Sequence, residues 1–552
     1  MKKFLYAIAA CGMVLLTASC SKDWLDTVPT SSVAPSNLFA DIDGAEQAMN
    51  GIARLMVKQY YSSQGFNGEG TIKLWLGEYP GQNYSRPNLT GWSSIMNMAY
   101  MERNTSSYDA FGWFYYYRII NNANTIIENA SMLTASETRS PEFLVAQALT
   151  YRAYSYLMLT QLYAHRWKDS NGADPGVVLR LDTSTDSMPL STLKECYEQI
   201  YADLDEAINL YSNTPIKNEQ RTGIWDPDIN VAYATYARAA LTREDWSKAA
   251  EMAAKARNGY ALMSVAEYRS GFMRPNSEWI WGSYGGSDQQ LYYYSFQAYM
   301  ACNSSSSVNR TYRNVGSREL IDKFPATDIR KNLFVHQELF PEFNFADTSY
   351  VSKVNGEIKG VEPKDKSLSD EQKAAIKKEN EKKAAALIAA IDEKFTGDKK
   401  PYAAGSSVSV YVIYDQRKFS CFDQAGVGYL NHFRSSEMVL IEAEAQYRLG
   451  NAAAAQKLLV ELNASTNRQP GYTCSKTGDA LFQEIRDYRA LELWGEGFDW
   501  FDMKRWGLPI VRKSFDEGGT FHVNMAVTIQ PNEANQWTWV IPQDETQYND
   551  QI

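Results

Sequence analysis

The chain has 552 residues, with 65 acidic and 55 basic side chains and a formal net charge of −10. An acidic protein without a basic cluster is a poor partner for nucleic acid, whose phosphates attract lysine and arginine. Only four histidines are present and none stands in an HExxH-type pair, which argues against metal catalysis through imidazole. Tyrosine (36) and tryptophan (14) are abundant, and such rings both pack in cores and serve as flat contact surfaces.

The first twenty residues predict a lipoprotein signal. Two lysines precede the apolar run 4–16, which as a helix would span about 20 Å, short of the ~30 Å hydrocarbon core of a membrane. Small residues then lead to Cys20, a pattern that resembles the bacterial lipoprotein signal except that Thr17 stands where a large aliphatic residue is usual. We therefore expect 1–19 to be removed as a signal peptide and Cys20 to carry lipid that holds the chain on a membrane. The alternative is a plain secretory signal with an incidental cysteine.

The rest of the chain gives no sign of a membrane span or a metal site. No later stretch approaches 18 consecutive apolar residues, so we expect no transmembrane helix. The remaining cysteines are far apart and lack CxxC spacing, which indicates neither a zinc site nor a disulfide framework, although a single bridge stays open. They are Cys196, Cys302, Cys421 and Cys474. No DxDxDG-like loop supports calcium binding.

Helical periodicity dominates the mature chain. Thr192 and Glu195 fit a capping box that opens a helix with an apolar stripe. Segments 229–258 and 437–466 look like helix–turn–helix repeats, with Gly450 ending the first helix of the second pair. Each pair leaves an apolar face that only a neighbouring pair can cover, as in the packing of tetratricopeptide repeats. Ordinary helical hairpins are the alternative.

We expect a fold dominated by α-helices, with helix pairs packed against a loop-rich half that holds a few short strands. The whole mature chain, 20–552, is predicted to be one domain, with its helical scaffold mainly in 40–260 and 430–507. The loop-rich region lies at about 262–361, where glycine, serine, asparagine and aromatic residues follow no stable period. Residues 363–398 form a separate charged helical insertion that is expected to lie on the surface.

Acidic, basic and aromatic side chains alternate in the stretch 485–507. On a helix, Asp499 and Asp502 would lie one turn apart, with Lys504 and Arg505 on the neighbouring turn. Two carboxylates could suggest glycoside hydrolysis, but that reaction needs them about 5–9.5 Å apart across a cleft, not stacked on one helix face. The pattern instead favours a partly buried network of ion pairs that joins helices.

The same stretch closely resembles the characteristic C-terminal run of the SusD-like (RagB/SusD) family. The matching elements are Arg489, Glu492-Leu493, Gly495-Glu496-Gly497, Trp500-Phe501-Asp502 and Lys504-Arg505-Trp506-Gly507. Further segments similar to the family occur in order along nearly the whole mature chain: 23–29, 117–130, 146–164, 200–211, 434–451 and 541–550. A longer loop at 165–180 and the 363–398 insertion depart from the family pattern.

The resemblance implies a SusD-like superhelix of tetratricopeptide-like helix pairs. It also implies a surface lipoprotein of the outer membrane of a Gram-negative bacterium. Such a protein captures oligosaccharide or polysaccharide without cleaving it and delivers it to a SusC-like TonB-dependent outer-membrane barrel. No cofactor, metal or catalytic residue is implied.

In the family, ligand contacts tend to come from loops in two regions, which correspond here to 74–92 and 290–313. Both regions combine aromatic rings, which stack on the C–H faces of sugars, with amide and guanidinium groups, which bond hydroxyls. The expected ligand-binding residues are Trp75, Tyr79, Asn83, Tyr84, Arg86, Asn88 and Trp92 in the first region and Tyr292, Tyr293, Tyr294, Asn309 and Tyr312 in the second, with Asn303 and Arg313 also of the right chemistry. Core packing is the alternative for each ring, and it is the preferred one for Trp279 and Trp281.

Two other functions stay open. One is a membrane-anchored, all-α glycoside hydrolase or lyase, for which Glu78 and Asp109 would be the best carboxylate pair. The other is a helix-repeat scaffold that binds a peptide or another protein. Which glycan binds is not readable from the sequence, because ring stacking tolerates many sugars.

Overall fold

The structure is a computed structural model that describes residues 38–60, 66–87, 93–130, 132–214, 216, 221–286, 295–401, 410–423, 425–531 and 537–552. Helices dominate these residues, as the sequence predicts. The α-helices are α1 Ile42–Leu55, α2 Gly68–Thr71, α3 Ser93–Met96, α4 Ser107–Ala130, α5 Pro141–Tyr163, α6 Trp167–Ser170, α7 Leu193–Asn213, α8 Ile229–Thr242, α9 Trp246–Ala256, α10 Val265–Tyr268, α11 Phe296–Met300, α12 Ser307–Thr311, α13 Arg318–Ile321, α14 Asp370–Lys394, α15 Ser435–Arg448, α16 Ala452–Val460, α17 Gly478–Glu492, α18 Asp499–Trp506 and α19 Gln543–Tyr548.

The strands are short and pair in twos. They are β1 Gln59–Tyr60, β2 Phe66–Asn67, β3 Tyr84–Ser85, β4 Trp279–Ser283, β5 Val315–Gly316, β6 Leu430–Arg434, β7 Ile510–Val511 and β8 Thr528–Ile529. All four pairs are antiparallel: β1 with β2, β3 with β5, β4 with β6, and β7 with β8. Two π-helical turns, Ile72–Glu78 and Glu461–Ser465, extend α2 and α16.

The helices stack in sequence, each packing on the one before, in the order α1, α4, α5, α7, α8, α9, α15 and α16. The predicted hairpins are confirmed, since α8 and α9 fill 229–258, while α15 and α16 are joined at Gly450, whose φ is +83°. The predicted capping box is also present, with Thr192 and Glu195 each accepting a hydrogen bond from the other's backbone N–H.

The step from α9 to α15 differs from the others because the two helices pack together although residues 257–434 separate them. That long segment contains the loop-rich half, with β4, β5 and several one-turn helices. Trp279 and Trp281 on β4 are buried against β6, which confirms the expectation that they belong to the core. The loop-rich half is therefore an insertion between two stacked helix pairs.

The charged insertion is a surface helix, as predicted. Ser369 caps α14, and the buried residues of that helix, at four- and three-residue steps, form one narrow seam. They are Asn380, Ala384, Leu387 and Ile391.

The stretch 485–507 is two helices rather than one. α17 ends at Glu492 and α18 begins at Asp499, because Gly495 and Gly497 have φ values of +77° and +93° that interrupt the helix. The predicted ion-pair network is present: Asp502 lies 2.6 Å from Arg489 and 2.8 Å from Arg505.

The network has a further acid, and two predicted members lie outside it. Arg505 also pairs with Glu444 on α15 at 2.7 Å, which joins α18 to the helix stack. Lys504 instead donates to the backbone carbonyls of Gln161 and Ala164, and Asp499 accepts from the chain around Asn83. Among the residues described, no helix combines the length and apolarity that a membrane span requires.

Candidate functional site

The two regions predicted to contact ligand lie side by side. β3 and β5 pair Tyr84 with Gly316, and Arg86 donates through Nη1 to the carbonyl of Tyr312 at 3.1 Å. The hydroxyl of Tyr84 also hydrogen-bonds the side-chain oxygen of Asn314. Two segments more than 200 residues apart in sequence are therefore joined by backbone and side-chain bonds.

Five of the seven predicted contact residues that the structure describes lie inside this junction, with 1% or less of their surface exposed. They are Trp75, Tyr79, Tyr84, Arg86 and Asn309, and Arg313 is equally buried. The rings of Tyr79 and Tyr84 stack with centroids 5.3 Å apart, and the guanidinium of Arg86 lies 5.5 Å from the Tyr79 ring. In this structure these side chains hold the two regions together and present no surface to a ligand.

Two predicted residues, Asn83 and Tyr312, are half-buried at the surface. Asp499 fixes Asn83, because its carboxylate accepts the Asn83 backbone N–H at 2.6 Å and the side-chain Nδ2 at 2.7 Å. The predictions that concern Cys20, Asn88, Trp92, Tyr292, Tyr293 and Tyr294 fall outside the described residues.

A cluster of half-buried rings beside the second region was not anticipated. The ring of Tyr284 meets Trp225 edge-to-face at 5.5 Å and Tyr429 edge-to-face at 5.4 Å. We call these three residues the ring cluster. Because they come from three distant parts of the chain, local sequence reasoning could not group them. The local signal in the sequence is that Tyr284 precedes two glycines and Tyr429 follows Gly428.

A groove runs beside the ring cluster. It is lined by Val57, Asn67, Tyr284, Gly285, Gly286, Ser295, Phe296, Gln297, Gly426, Val427, Gly428 and Leu430, none of which is charged. Residue 286 lies immediately before and residue 295 immediately after the segment 287–294 that carries the three predicted tyrosines. The two described residues that flank this segment, Gly286 and Ser295, therefore both lie at the groove.

Backbone packing forms the wall of the groove. A Cβ on Gly285 would lie 2.0 Å from the carbonyl oxygen of Gly428, so only glycine permits this approach. Gln297 donates through Nε2 to the carbonyls of Tyr429 at 3.0 Å and Phe272 at 3.3 Å. Its Oε1 is buried without a hydrogen-bond partner, so the wall contains an unused acceptor.

The carboxylates considered for hydrolysis have a different environment. Glu78 and Asp109 are 1% and 0% exposed. Burial, together with the nearby Asp499 carboxylate, raises the pKa of Glu78 to about 8, although the backbone N–H groups of Gly497 and Phe498 donate to it. Burial alone raises the pKa of Asp109 to about 9. Two buried acids do not form the solvent-facing pair across a substrate cleft that hydrolysis requires.

The part of the chain that the structure describes contains no group of three or more His, Cys, Asp or Glu side chains arranged to hold a metal ion. The cysteines at 196, 302, 421 and 474 are unpaired.

Two family models together match most of the sequence. A family model described as starch-binding associating with outer membrane matches residues 23–241, and the SusD family model matches residues 277–552. No curated protein sequence matches the chain.

Solved structures share the fold at low sequence identity. A SusD-like carbohydrate binding protein from Bacteroides vulgatus superposes with a TM-score of 0.71 at 20% identity, over 93% of this chain and 97% of its own. A SusD superfamily protein from Bacteroides thetaiotaomicron gives 0.68 at 21% identity, over 93% and 99%. One from Parabacteroides distasonis gives 0.60 at 16%, over 92% and 98%. Since the SusD model alone spans half of the 552 residues, the chain belongs to the SusD family.

Proposed function

We propose that this protein binds a glycan at the ring cluster and the adjoining groove and passes it, uncleaved, to a TonB-dependent outer-membrane barrel. The observation that carries the proposal is the position of Trp225, Tyr284 and Tyr429 beside a groove with uncharged walls. Family membership supports it, because the matching family model is described as starch-binding and a structural neighbour is a carbohydrate binding protein.

The chemistry of the groove suits a sugar. Half-buried rings offer apolar faces and edges to the C–H faces of a pyranose, and backbone carbonyls along the groove can accept from its hydroxyls. Because the rings are exposed only in part and no charged side chain lines the groove, we expect moderate affinity and fast release. Both properties suit a protein that hands its ligand onward.

The remaining predicted residues take two roles in this proposal. The contact role is assigned to the half-buried Asn83 and Tyr312 and to Asn88, Trp92, Tyr292, Tyr293 and Tyr294. Those in the buried junction act indirectly, by fixing the chain from which the contact residues project: Trp75, Tyr79, Tyr84, Arg86 and Asn309. The mature chain from Cys20 acts as a single domain held at the cell surface by lipid on that cysteine.

Isothermal titration of a soluble form that begins after Cys20, against a panel of polysaccharides, tests the binding. We expect at least one glycan to bind, and Tyr284→Ala or Tyr429→Ala to weaken that binding about tenfold or more, since stacked rings dominate such contacts. Tyr233→Ala is the matched control, because Tyr233 is a half-buried ring on α8, outside the groove lining. Unchanged binding in both ring variants, or steady release of reducing ends by the pure protein, would refute the proposal.

The anchor and the partner need experiments in cells. Cys20→Ala should move the protein from the membrane fraction to the soluble fraction, because each buried lipid CH₂ contributes about 0.8 kcal/mol to membrane binding. Affinity purification of the wild-type chain from detergent-solubilised outer membranes should recover a β-barrel of the TonB-dependent class. Recovery of a soluble protein or peptide alone would favour the scaffold function instead.

A further inference from the structure

A second cleft lies on a different part of the surface, between one face of α17, the end of α18 and the chain around β7. Its volume is about 330 Å³, which is at the small end of the range for ligand pockets. Its lining comes from four stretches of the chain: 82–83, 317–323, 483–490 and 503–511. It shares no residue with the groove beside the ring cluster.

The lining divides into an apolar set and a polar set. Leu320, Ala490, Met503 and Leu508 supply aliphatic surface, while the side chains of Gln82, Asn83 and Gln483 supply amides. Gln82 accepts the backbone N–H of Val511 through Oε1 at 3.0 Å, which fixes the orientation of the amide. Apolar surface with a few oriented polar groups is typical of sites for small molecules.

Arg486 is the charged group of this cleft that forms no ion pair with any residue that the structure describes. The two acids nearest to it are already engaged: Asp487 pairs with Lys323 at 2.7 Å and Glu444 pairs with Arg505 at 2.7 Å. The guanidinium of Arg486 donates through Nη2 to Gln483 Oε1 at 2.5 Å, while its Nε is buried and has no acceptor among the described residues. The remaining acid of the lining, Glu319, pairs with Lys513 at 2.6 Å, so it is not available to Arg486 either.

Aromatic rings hold the Arg486 guanidinium in place. Its central carbon lies 4.9 Å from the centroid of the Phe482 ring and 5.8 Å from that of Trp506. Burial lowers the pKa of Arg486, which is the effect expected of a cation that lacks full compensation. A guanidinium oriented in this way can donate two parallel hydrogen bonds to a planar carboxylate.

We propose that this cleft binds a sugar acid, a hexuronic acid residue whose carboxylate pairs with Arg486. The carboxylate supplies a counter-charge at the accessible end of the guanidinium, the amides of Gln82 and Asn83 meet the ring hydroxyls, and the aliphatic surface receives the C–H face of the ring. One unpaired guanidinium matches one negative charge, so the site favours a monocarboxylate over a doubly charged phosphate. The inference does not depend on the groove or the ring cluster, which take no part in it; Asn83 is the residue to which both proposals assign a ligand contact.

Ligand-observed NMR titrations of the soluble chain with D-glucuronate, D-glucose and acetate test the proposal. We expect saturable binding of glucuronate, about tenfold or more tighter than glucose or acetate, since a charge-assisted hydrogen bond is lost with glucose and the ring contacts with acetate. Arg486→Gln should remove the preference for glucuronate, and Arg486→Lys should restore only part of it because lysine lacks the planar fork. Ala490→Trp, which fills the cleft without altering its charge, should weaken binding of all three compounds.

The control variant is Arg243→Gln. Arg243 is also stacked on two rings, Trp167 at 5.0 Å and Tyr201 at 4.6 Å, and it lies outside this cleft. It should bind glucuronate like the wild type. Arg486→Gln, in turn, should leave glycan binding at the ring cluster unchanged, so that the two proposed sites fail or hold separately. Thermal melts establish that each variant is folded. Glucuronate and glucose binding equally, acetate matching glucuronate, no saturable binding, or an unchanged Arg486→Gln variant would each overturn the proposal.

Discussion

The carboxylate of Glu492 and the guanidinium of Arg434 form a buried ion pair, with Oε1 and Nη1 2.7 Å apart and at most 1% of either side chain exposed. Glu492 also pairs with Arg330 at 3.0 Å and with Arg468 at 3.1 Å. Burial alone would raise the pKa of Glu492, but the three arginines hold it well below its ordinary value. This acid therefore links the end of α17 to β6 and to two loops, and joins the helical and loop-rich halves.

Glu492→Gln should destabilise the protein strongly, because it leaves buried arginines without their shared counter-charge. We expect a loss of about 3–5 kcal/mol in the free energy of unfolding, measured by urea titration. Glu251→Gln is the control: Glu251 pairs with Lys255 at 2.8 Å, but both side chains are about half exposed, so its loss should stay below about 1 kcal/mol. Similar losses in the two variants would contradict the assigned role.

Glu492 should also make the stability of the protein depend on pH in the acid range. A carboxyl whose pKa is depressed in the folded state contributes stability that is present above its unfolded pKa, here near 4.5, and is lost as the pH falls towards the folded value. The wild type should therefore lose stability below about pH 4.5, and Glu492→Gln should show a shallower loss over that range.

The buried carboxyl of Asp109 should make the stability of the protein depend on pH with the opposite sign. Both of its carboxylate oxygens are buried without a hydrogen-bond partner in the described part of the chain, and its pKa is raised from 3.8 to about 9. Since the folded state holds this proton more tightly, its contribution to stability is complete below pH 3.8 and falls as the pH rises towards 9. The slope attributable to this group is at most about 1.4 kcal/mol per pH unit.

Asp109→Asn should remove that slope, because the amide stays uncharged at every pH. We expect the variant to match or exceed the stability of the wild type at pH 8, measured by urea unfolding at a series of pH values. The exposed Glu102→Gln serves as the control and should keep the wild-type profile. A variant that is less stable than the wild type at pH 8 would show that Asp109 is held ionised by a partner.

The helices were predictable because their causes are local. The capping box at Thr192, the break before Asp245 and the glycine at 450 each act within a few residues, and the structure has a helix boundary at each one. The two-helix structure of 485–507 was harder to foresee, because it depends on positive φ values at Gly495 and Gly497 that periodicity does not register.

Exposure of the candidate contact residues was not predictable from composition. Tyr79 and Tyr312 belong to segments of the same aromatic, amide-rich kind, yet Tyr79 is 0% exposed and Tyr312 is half-buried. The difference arises from the pairing of β3 with β5, which joins positions more than 200 residues apart. The ring cluster depends on similar long-range contacts, so no local pattern marks it.

Gly497 is predicted to tolerate no side chain. Its φ is +93°, and an added Cβ would lie 2.7 Å from the Cα of Lys73. Gly471 provides a matched control, with a φ of +75° and no atom within 4 Å of an added Cβ. Gly471→Ala should therefore cost only the backbone strain, about 1–2 kcal/mol. Gly497→Ala should lower the free energy of unfolding by about 1–3 kcal/mol more than Gly471→Ala does, because the backbone at Lys73 or at residue 497 must move to make room for the Cβ. Equal urea midpoints for the two variants would contradict this close packing of α18 on the π-helical turn.

The α14 insertion should unfold separately from the rest of the protein. Its buried side chains form one seam, and side-chain hydrogen bonds join the helix to its surroundings at Asn380, which donates to the carbonyl of Val361 at 2.7 Å, and at Asp392, which accepts from the Tyr411 hydroxyl at 3.2 Å. Elements with so little buried surface open locally at low free energy. Leu387→Ala truncates a fully buried aliphatic side chain of the seam and should weaken its docking by about 2–5 kcal/mol.

Hydrogen exchange separates this local opening from global unfolding. In Leu387→Ala, amides of α14 should exchange faster while those of α5, which is buried along nearly its whole length, keep their rates and the urea midpoint stays unchanged. Lys382→Ala, on the exposed face of the same helix, should leave both regions unaffected. If Leu387→Ala instead lowers the urea midpoint and speeds exchange in α5, then the insertion is coupled to the helical stack. Its seam would in that case be part of the cooperative core.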